Sequence, residues 1–294
     1  MKLKKGEMTT QQIVILIILI AGFAVLIFFL FRLNLGDESD KQLCYNSVMN
    51  RANKLVPTES IPLNCKRSYV CISKDGSCEQ FSDPIIKKVK TDDEVYKALA
   101  NELSDCWWMF GEGNVNYMGK DMLPELYCSL CSQIAFDNSV NEIFPQGGFS
   151  KKNVYDYMCS HKLDNSGGPT YCEYMYNTND LNIISGGNDF GNVRLNDQYY
   201  ALMGVVSEVN ALGWAGIGAA SVAGLIVVSV VTMGVGVPFY VAAISTMSGA
   251  AGGYFLAPIA EGSSGQDFLR PSLVKAGNSV EFNSLGCKDI TTLS

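Results

Sequence analysis

Two long runs of apolar residues interrupt an otherwise mixed sequence. The first covers residues 13–31, where 19 consecutive positions carry no charge, and the second fills the 52 positions between Glu208 and Glu261. As a helix, the first run would be about 28 Å long, close to the thickness of a bilayer core. The pattern therefore predicts a transmembrane anchor helix over 13–31, with residues 33–208 forming a separate domain.

The second run, residues 209–260, is rich in glycine and alanine. It predicts two helices, 211–233 and 239–257, because proline and glycines break a helix at 234–238. Small residues permit close contact between membrane helices. We expect a glycine-rich transmembrane helical hairpin followed by an extracytoplasmic segment, 261–294. The alternative is a hairpin that packs in an oligomer or is stored within the domain.

Residues 33–208 have the pattern of a mixed α and β domain. Helices are predicted at 40–55, from the capping box Thr91–Glu94 to the glycines at 111 and 113, and from Ser150 to Cys159. Strands are predicted at 170–176 and at 181–185, and a β-hairpin is predicted around the Asp-Gly turn at 74–77. The predicted fold class is therefore α+β, with an N-terminal transmembrane helix, a disulfide-rich ectodomain and a C-terminal transmembrane helical hairpin.

The distribution of charge predicts the side of the membrane on which each segment lies. The formal net charge is −7, and residues 1–32 carry four basic side chains against Glu7, so the rest of the chain carries −10. Three of the basic residues precede the apolar run. By the positive-inside rule, we expect a multi-pass protein of the cell membrane with a cytoplasmic N-terminus and an extracytoplasmic main domain. The acidic remainder offers no basic surface, so nucleic acid is not an expected partner.

The polar segment before the first apolar run carries a short motif. Residues 4–12 read Lys-Lys-Gly-Glu-Met-Thr-Thr-Gln-Gln. This cytoplasmic segment, 1–12, resembles the class III signal of archaeal type IV pilin-like proteins, with Glu7 where that family usually has glutamine. The resemblance implies that a membrane peptidase cleaves once, after Gly6, which Lys5 precedes. Glu7 would then be the new first residue, and the apolar helix would be retained. The alternative is an uncleaved signal anchor.

All ten cysteines follow the first apolar run, and none lies in either run. An even number on the predicted outer side of a membrane favours up to five disulfides in an oxidising compartment. The spacing leaves their connectivity open. The disulfide candidates are Cys44, Cys65, Cys71, Cys78, Cys106, Cys128, Cys131, Cys159, Cys172 and Cys287.

Cys128 and Cys131 form a C-x-x-C pair. We interpret both as cysteines of structural disulfides, with their partners left open. Two alternatives are thiol–disulfide exchange by a cysteine of lowered pKa, and zinc binding together with Cys159 and Cys172. His161, the single histidine, is expected at a helix C-terminus, where a cation is favourable.

Trp107 and Trp108 are adjacent in the helix predicted after Thr91. Consecutive helical side chains point about 100° apart, so the two rings cannot share one narrow buried stripe. An exposed ring would make Trp107 and Trp108 candidates for contact with a partner or a membrane interface. The favoured interpretation is a core element that is stapled by a cysteine and ends at a glycine cap.

These patterns favour a membrane-anchored cell-surface protein whose ectodomain serves surface structure or partner contact, in a pilin-like manner. The expected partners are the lipid bilayer, other surface or pilus-like proteins, and further copies of the chain. Two alternatives stay open: a pore- or fusion-type effector that inserts residues 209–260, and an extracytoplasmic thiol–disulfide oxidoreductase. We expect no enzyme, no catalytic residue, no metal and no cofactor, since the sequence has no phosphate-binding loop or dinucleotide motif.

Overall fold

The computed structural model divides the chain into two units, Met1–Asp40 and Lys41–Ser294. The residues that it describes are 10–32, 35–53, 61–117, 126–164, 166–185, 190–207, 225–233, 237–244, 255–261, 266–277, 279–285 and 287–289.

Helices and strands alternate along the described residues. The helices are α1 (Thr10–Arg32), α2 (Leu35–Arg51), α3 (Asp92–Met109), α4 (Lys151–Ser160), α5 (Tyr171–Tyr176), α6 (Leu181–Ser185) and α7 (Val280–Ser284). The strands are β1 (Ser68–Ser73), β2 (Ile85–Lys88), β3 (Tyr127–Phe136), β4 (Gly148–Ser150), β5 (Asn192–Arg194), β6 (Tyr199–Ser207), β7 (Leu225–Met233), β8 (Val237–Ile244), β9 (Phe255–Glu261), β10 (Gln266–Lys275) and β11 (Lys288–Asp289). Short 3₁₀ turns lie at Gly111–Gly113 and Asn138–Glu142.

The first apolar run forms helix α1, as predicted. Ten of its large apolar side chains, between Val14 and Phe28, are 47–66% exposed. Within the described ranges, we find no helix with the length and apolarity needed to span a membrane. A membrane crossing at 13–31 therefore stays a prediction.

A mixed nine-stranded sheet organises the second unit. Its strands follow the order β2-β1-β3-β6-β10-β9-β8-β7, and β11 pairs with β3 outside this path. β1 is parallel to both neighbours, whereas the pairs from β3 to β7 along the path are antiparallel. Strands β4 and β5 form a separate two-stranded sheet. The α+β class and the disulfide-rich domain are thus confirmed.

Helix α3 supplies the central helical layer of the core. Its predicted apolar stripe is buried, with Val95, Leu99, Leu103 and Cys106 at most 1% exposed. The helix begins where predicted, because the Thr91 side chain accepts a hydrogen bond from the backbone of the first turn. It ends at Met109, two residues before Gly111, whose φ of +75° lies in the left-handed region that favours glycine.

The predicted helical hairpin in the second apolar run was wrong for the residues that the structure describes there. Residues 225–233, 237–244 and 255–261 are strands β7, β8 and β9. Six of the nine residues in β7 are β-branched, which favours a strand over a helix. β9 also pairs with β10, so these strands continue the sheet of the second unit. The remaining residues of this run lie outside the described ranges.

Three shorter predictions were also wrong. Residues 171–176 form helix α5 rather than a strand, because Thr170 and Glu173 make a capping box. Residues 181–185 likewise form helix α6. The segment after the Asp-Gly turn returns as β2, which is parallel to β1, so no hairpin forms there.

The prediction of five disulfides is confirmed. The bonds are Cys44–Cys65, Cys71–Cys78, Cys106–Cys131, Cys128–Cys287 and Cys159–Cys172. Both members of the C-x-x-C pair lie on β3, and each is bonded to a different partner. The bond from Cys128 links the C-terminal segment to β3, so both must occupy the same compartment.

Removing the Cys128–Cys287 bond should destabilise the domain more than removing Cys71–Cys78. The sequence separations are 159 and 7 residues, and loop entropy assigns the bonds up to about 5 and about 2.5 kcal/mol. Cys128 and Cys71 are equally buried, at 0% exposure, so the pairs are matched. Urea unfolding of the two double-alanine variants measures the difference. Equal losses would contradict the loop-entropy account.

Candidate contact surface and cleft

The adjacent tryptophans of α3 point to different environments, as predicted. Trp107 is buried, at 4% exposure, with its ring edge-on to Phe268 at a centroid distance of 6.2 Å. The guanidinium of Arg270 lies 5.5 Å from the Trp107 centroid and 5.9 Å from that of Tyr176. These distances allow cation–π attraction to a buried charge. Trp107 therefore belongs to the core and is not available to a partner.

Trp108 is only partly buried and stacks on Tyr45 of α2. The two ring centroids are 4.5 Å apart and the planes differ by 6°. Tyr174 of α5 is near enough to Tyr45 for the two hydroxyls to influence each other electrostatically. We call Tyr45, Trp108, Glu112 and Tyr174 the aromatic patch. All four side chains are partly exposed, and tyrosine and tryptophan are enriched at interfaces because each combines an apolar ring with a polar group.

The polar edge of the aromatic patch has one well-formed hydrogen bond. The Tyr174 hydroxyl donates to Glu112 Oε1 at 2.7 Å. Glu112 adopts a φ of +57°, which is uncommon for a residue with a side chain. Burial and the negative charge of Glu112 raise the pKa of Tyr174, so its hydroxyl remains a donor at neutral pH. The patch therefore presents an acidic group beside flat aromatic surface.

Covalent and ionic contacts hold the two helices beneath the patch. Lys41 Nζ of α2 lies 2.8 Å from Asp105 Oδ2 of α3. Cys44 ties α2 to the segment before β1, and Cys106 ties α3 to β3. Because both helices are fixed, the rings lose little conformational freedom when a partner binds.

Glu102 is a buried carboxylate on α3. It is 3% exposed, and Lys87 Nζ lies 3.8 Å from its Oε1. Burial raises the pKa of Glu102 above its ordinary value, although the charges of Lys41 and Lys87 act in the opposite direction. A carboxylate of this kind can be catalytic, yet this one faces the interior and not the cleft described below.

The sequence candidates for chemistry are not assembled into a catalytic site. Cys128 and Cys131 are 0% and 4% exposed. Cys159 is bonded to Cys172, so the four cysteines considered for zinc are all in disulfides. Across the described ranges, no cluster of three His, Cys, Asp or Glu side chains is placed to hold a metal ion.

His161 ends α4, as predicted for a helix C-terminus. Its Nδ1 lies 3.0 Å from the Tyr157 carbonyl oxygen, and its ring stacks on the Tyr157 ring at 3.9 Å. Ser160 Oγ is 3.1 Å from the same nitrogen. These contacts hold the imidazole at the C-terminal end of α4.

An open cleft of about 660 Å³ lies at the other end of α3. Its floor is an aromatic cluster in which Phe149 is 5.4 Å from Tyr96 and 4.6 Å from Phe144, measured between ring centroids. The lining also includes these polar side chains: Asp92, Gln146, Ser150, Asn153, Asn192 and Arg194. Asp92 and Trp108 are 16 residues apart on α3, so about 24 Å of helix separates the cleft from the aromatic patch.

Sequence reasoning missed this cleft. Its wall forms because β4 and β5 approach closely at Gly148, where an added Cβ would lie 2.2 Å from the Val193 carbonyl oxygen. The glycine pair between Phe144 and Phe149 was the available sequence signal for such an approach. The partner strand begins more than 40 residues later in the chain, so no local pattern connects the two walls.

Replacing Glu102 with glutamine should stabilise the protein at alkaline pH. The raised pKa means that stability present below the unfolded pKa is lost as pH rises through the folded pKa. E102Q should therefore raise the free energy of unfolding at about pH 8 and change it little at about pH 3.5, where both forms are neutral. Urea unfolding at both pH values is the measurement, with E79Q as the exposed control. A less stable E102Q at pH 8 would show that the Lys87 ion pair outweighs burial.

The predicted processing residues Lys5, Gly6 and Glu7 lie outside the described residues, so their role stays a prediction. Comparison with protein families, with curated proteins and with solved structures finds no match for this chain.

Proposed function

We propose that this protein is a cell-surface contact protein, with α1 as its membrane anchor and the disulfide-bonded unit outside the cell. The anchor is preceded by the pilin-like signal segment, so that the mature chain begins at Glu7. The domain presents the aromatic patch to other surface proteins or to a second copy of the chain.

The observation that carries this proposal is the pairing of all ten cysteines. None of them is free in the structure, and all follow the apolar helix in the sequence. Disulfides of this density persist in oxidising compartments and are rare where thiols are kept reduced. Transport of everything after α1 across a membrane accounts for both facts.

The exposed surface of α1 supports the anchoring role. Its large apolar side chains follow one another without a charged residue from 13 to 31. A helix that is apolar on all sides requires an apolar environment, either a protein core or a lipid bilayer. A bilayer is the environment that a run of 19 residues fits in length.

The strands in the second apolar run favour a single anchor over three crossings. β9 is hydrogen bonded to β10, which pairs with β6 and lies in the same sheet as Cys128. This pairing supports the alternative in which the run is stored within the ectodomain, and it weakens the case for an inserting effector. The separate bonds of Cys128 and Cys131 give an oxidoreductase no support.

Charged substitutions in α1 should release the protein from membranes. Ile18 and Phe23 are 65% and 66% exposed, and each lysine in the centre of a bilayer costs about 2.5–3.5 kcal/mol. We expect wild-type chain to remain in the membrane fraction after an alkaline wash and I18K/F23K to enter the soluble fraction. The matched control is L43K/M49K, which adds two lysines at exposed apolar positions of α2. Wild-type protein in the soluble fraction would refute the anchor.

Loss of the aromatic patch should abolish contact with the partner. Tyrosine and tryptophan at the centre of an interface commonly contribute 2 kcal/mol or more, roughly thirtyfold in affinity. We expect an amine-reactive cross-linker on intact cells to join wild-type chain to a neighbour, and Y45A/W108A to lose this product. The control is Y69A/F81A, which removes another surface ring pair, with centroids 5.2 Å apart. Equal cross-linking by both variants, at unchanged thermal stability, would remove the patch from the proposal.

A further inference from the structure

We propose that the cleft between α3, α4 and the β4–β5 sheet binds a neutral saccharide. The inference concerns a different surface from the aromatic patch and does not depend on α1 being a membrane anchor. It rests on the hydrogen-bonding groups of the cleft, on their balance of charge and on the rigidity of its walls.

The walls of the cleft carry groups that both donate and accept hydrogen bonds. Gln146, Asn153 and Asn192 contribute three carboxamides, and Ser150 contributes a hydroxyl. A carboxamide offers two donors and an acceptor in one plane, which suits pairs of neighbouring sugar hydroxyls that also donate and accept. In the part of the chain that the structure describes, the side chains of Gln146 and Asn192 make no hydrogen bond, so both can be offered to a ligand.

The charges in the cleft cancel. Asp92 and Arg194 are both exposed and of opposite sign. Asp93 and Glu94 lie at the same turn of α3 but do not line the cleft, and their charges offset the positive end of the helix dipole. On the α4 side, Lys151 is paired with Glu281 and Lys152 with Asp156, at 3.2 Å and 2.8 Å. A neutral ligand with many hydroxyls therefore fits better than a phosphate, a sulfate or a cation.

The floor of the cleft is apolar but mostly covered. Tyr96 and Phe149 are each 7% exposed and Phe144 is 4% exposed. These rings offer a limited apolar edge to the C–H groups of a sugar, while the carboxamides above them supply most of the recognition. Asn153 donates to the Tyr96 hydroxyl at 3.2 Å, which holds one carboxamide in place before a ligand arrives. The volume of about 660 Å³ lies within the range of known small-ligand sites.

The walls are built to keep this shape. β4 and β5 are paired from Gly148 to Ser150, and the Ser150 side chain caps α4 by accepting from Lys152 N at 3.2 Å. The Tyr199 hydroxyl accepts a hydrogen bond from the Arg194 backbone at 2.7 Å, which fixes the end of β5. Because the backbone of the cleft is already ordered, it loses little conformational entropy when a ligand binds, and this favours the binding of weak polar ligands.

The test uses the full-length chain in a detergent that has no sugar headgroup. Neutral oligosaccharides immobilised as an array are the first probe, with uronic-acid and sulfated oligosaccharides on the same surface. The best neutral binder is then titrated against wild-type protein and against Q146A/N192A. Loss of two hydrogen-bonding side chains should weaken binding about tenfold or more.

The matched control is Q80A/N50A, which removes the same two side-chain types at exposed positions outside the cleft. It should bind like wild type. Absence of binding to every neutral probe, on the array and in solution at about 10 mM, would overturn the proposal. A dissociation constant above that concentration is weaker than even weak recognition. Binding only to the anionic probes, or equal weakening in both variants, would overturn it as well. Loss of membrane anchoring in I18K/F23K leaves this result unaffected, so the two proposals fail separately.

Discussion

The packing of α3 against the sheet is the contact on which the other features depend. One face of this helix is buried from Val95 to Met109, and its neighbours come from strands far apart in the sequence. The helix carries a wall of the cleft at its first turn and the aromatic patch at its last. Both surfaces are therefore attached to the same rigid helix. A disulfide from Cys106 to Cys131 adds a covalent link to the same contact.

Strand geometry explains the pairing of the C-x-x-C cysteines. Along a strand, residues three positions apart are separated by about 10 Å, which exceeds the span of a disulfide. On a helix, the same spacing would bring the two side chains to one face. The motif by itself does not distinguish these cases, because the element that carries it decides whether the sulfurs can meet. On β3 each cysteine bonds to a separate partner, so this strand carries two disulfides.

The tryptophan pair shows which part of a site follows from local geometry. Its division into one buried and one partly exposed ring follows from the 100° step of a helix, and required no knowledge of the fold. The identity of the exposed ring did not follow, because it depends on Phe268 and Arg270 packing against Trp107. The cleft could not be predicted from the sequence, since its walls come from α3, the segment before α4, and β5. Only chain folding brings the three together.

The same distinction separates the two apolar runs. The amino-acid sequence by itself determined the helix over 13–31, the boundaries of α3 and α4, and an even set of cysteines outside both runs, since these depend on short-range periodicity, capping and composition. Only the tertiary structure decided that the described parts of 225–261 are strands and that Cys128 joins Cys287. A β-branched, uncharged segment can satisfy its backbone either within a helix or against a neighbouring strand. The open edge of β10 provides the neighbour, and that edge exists only after the rest of the domain has folded.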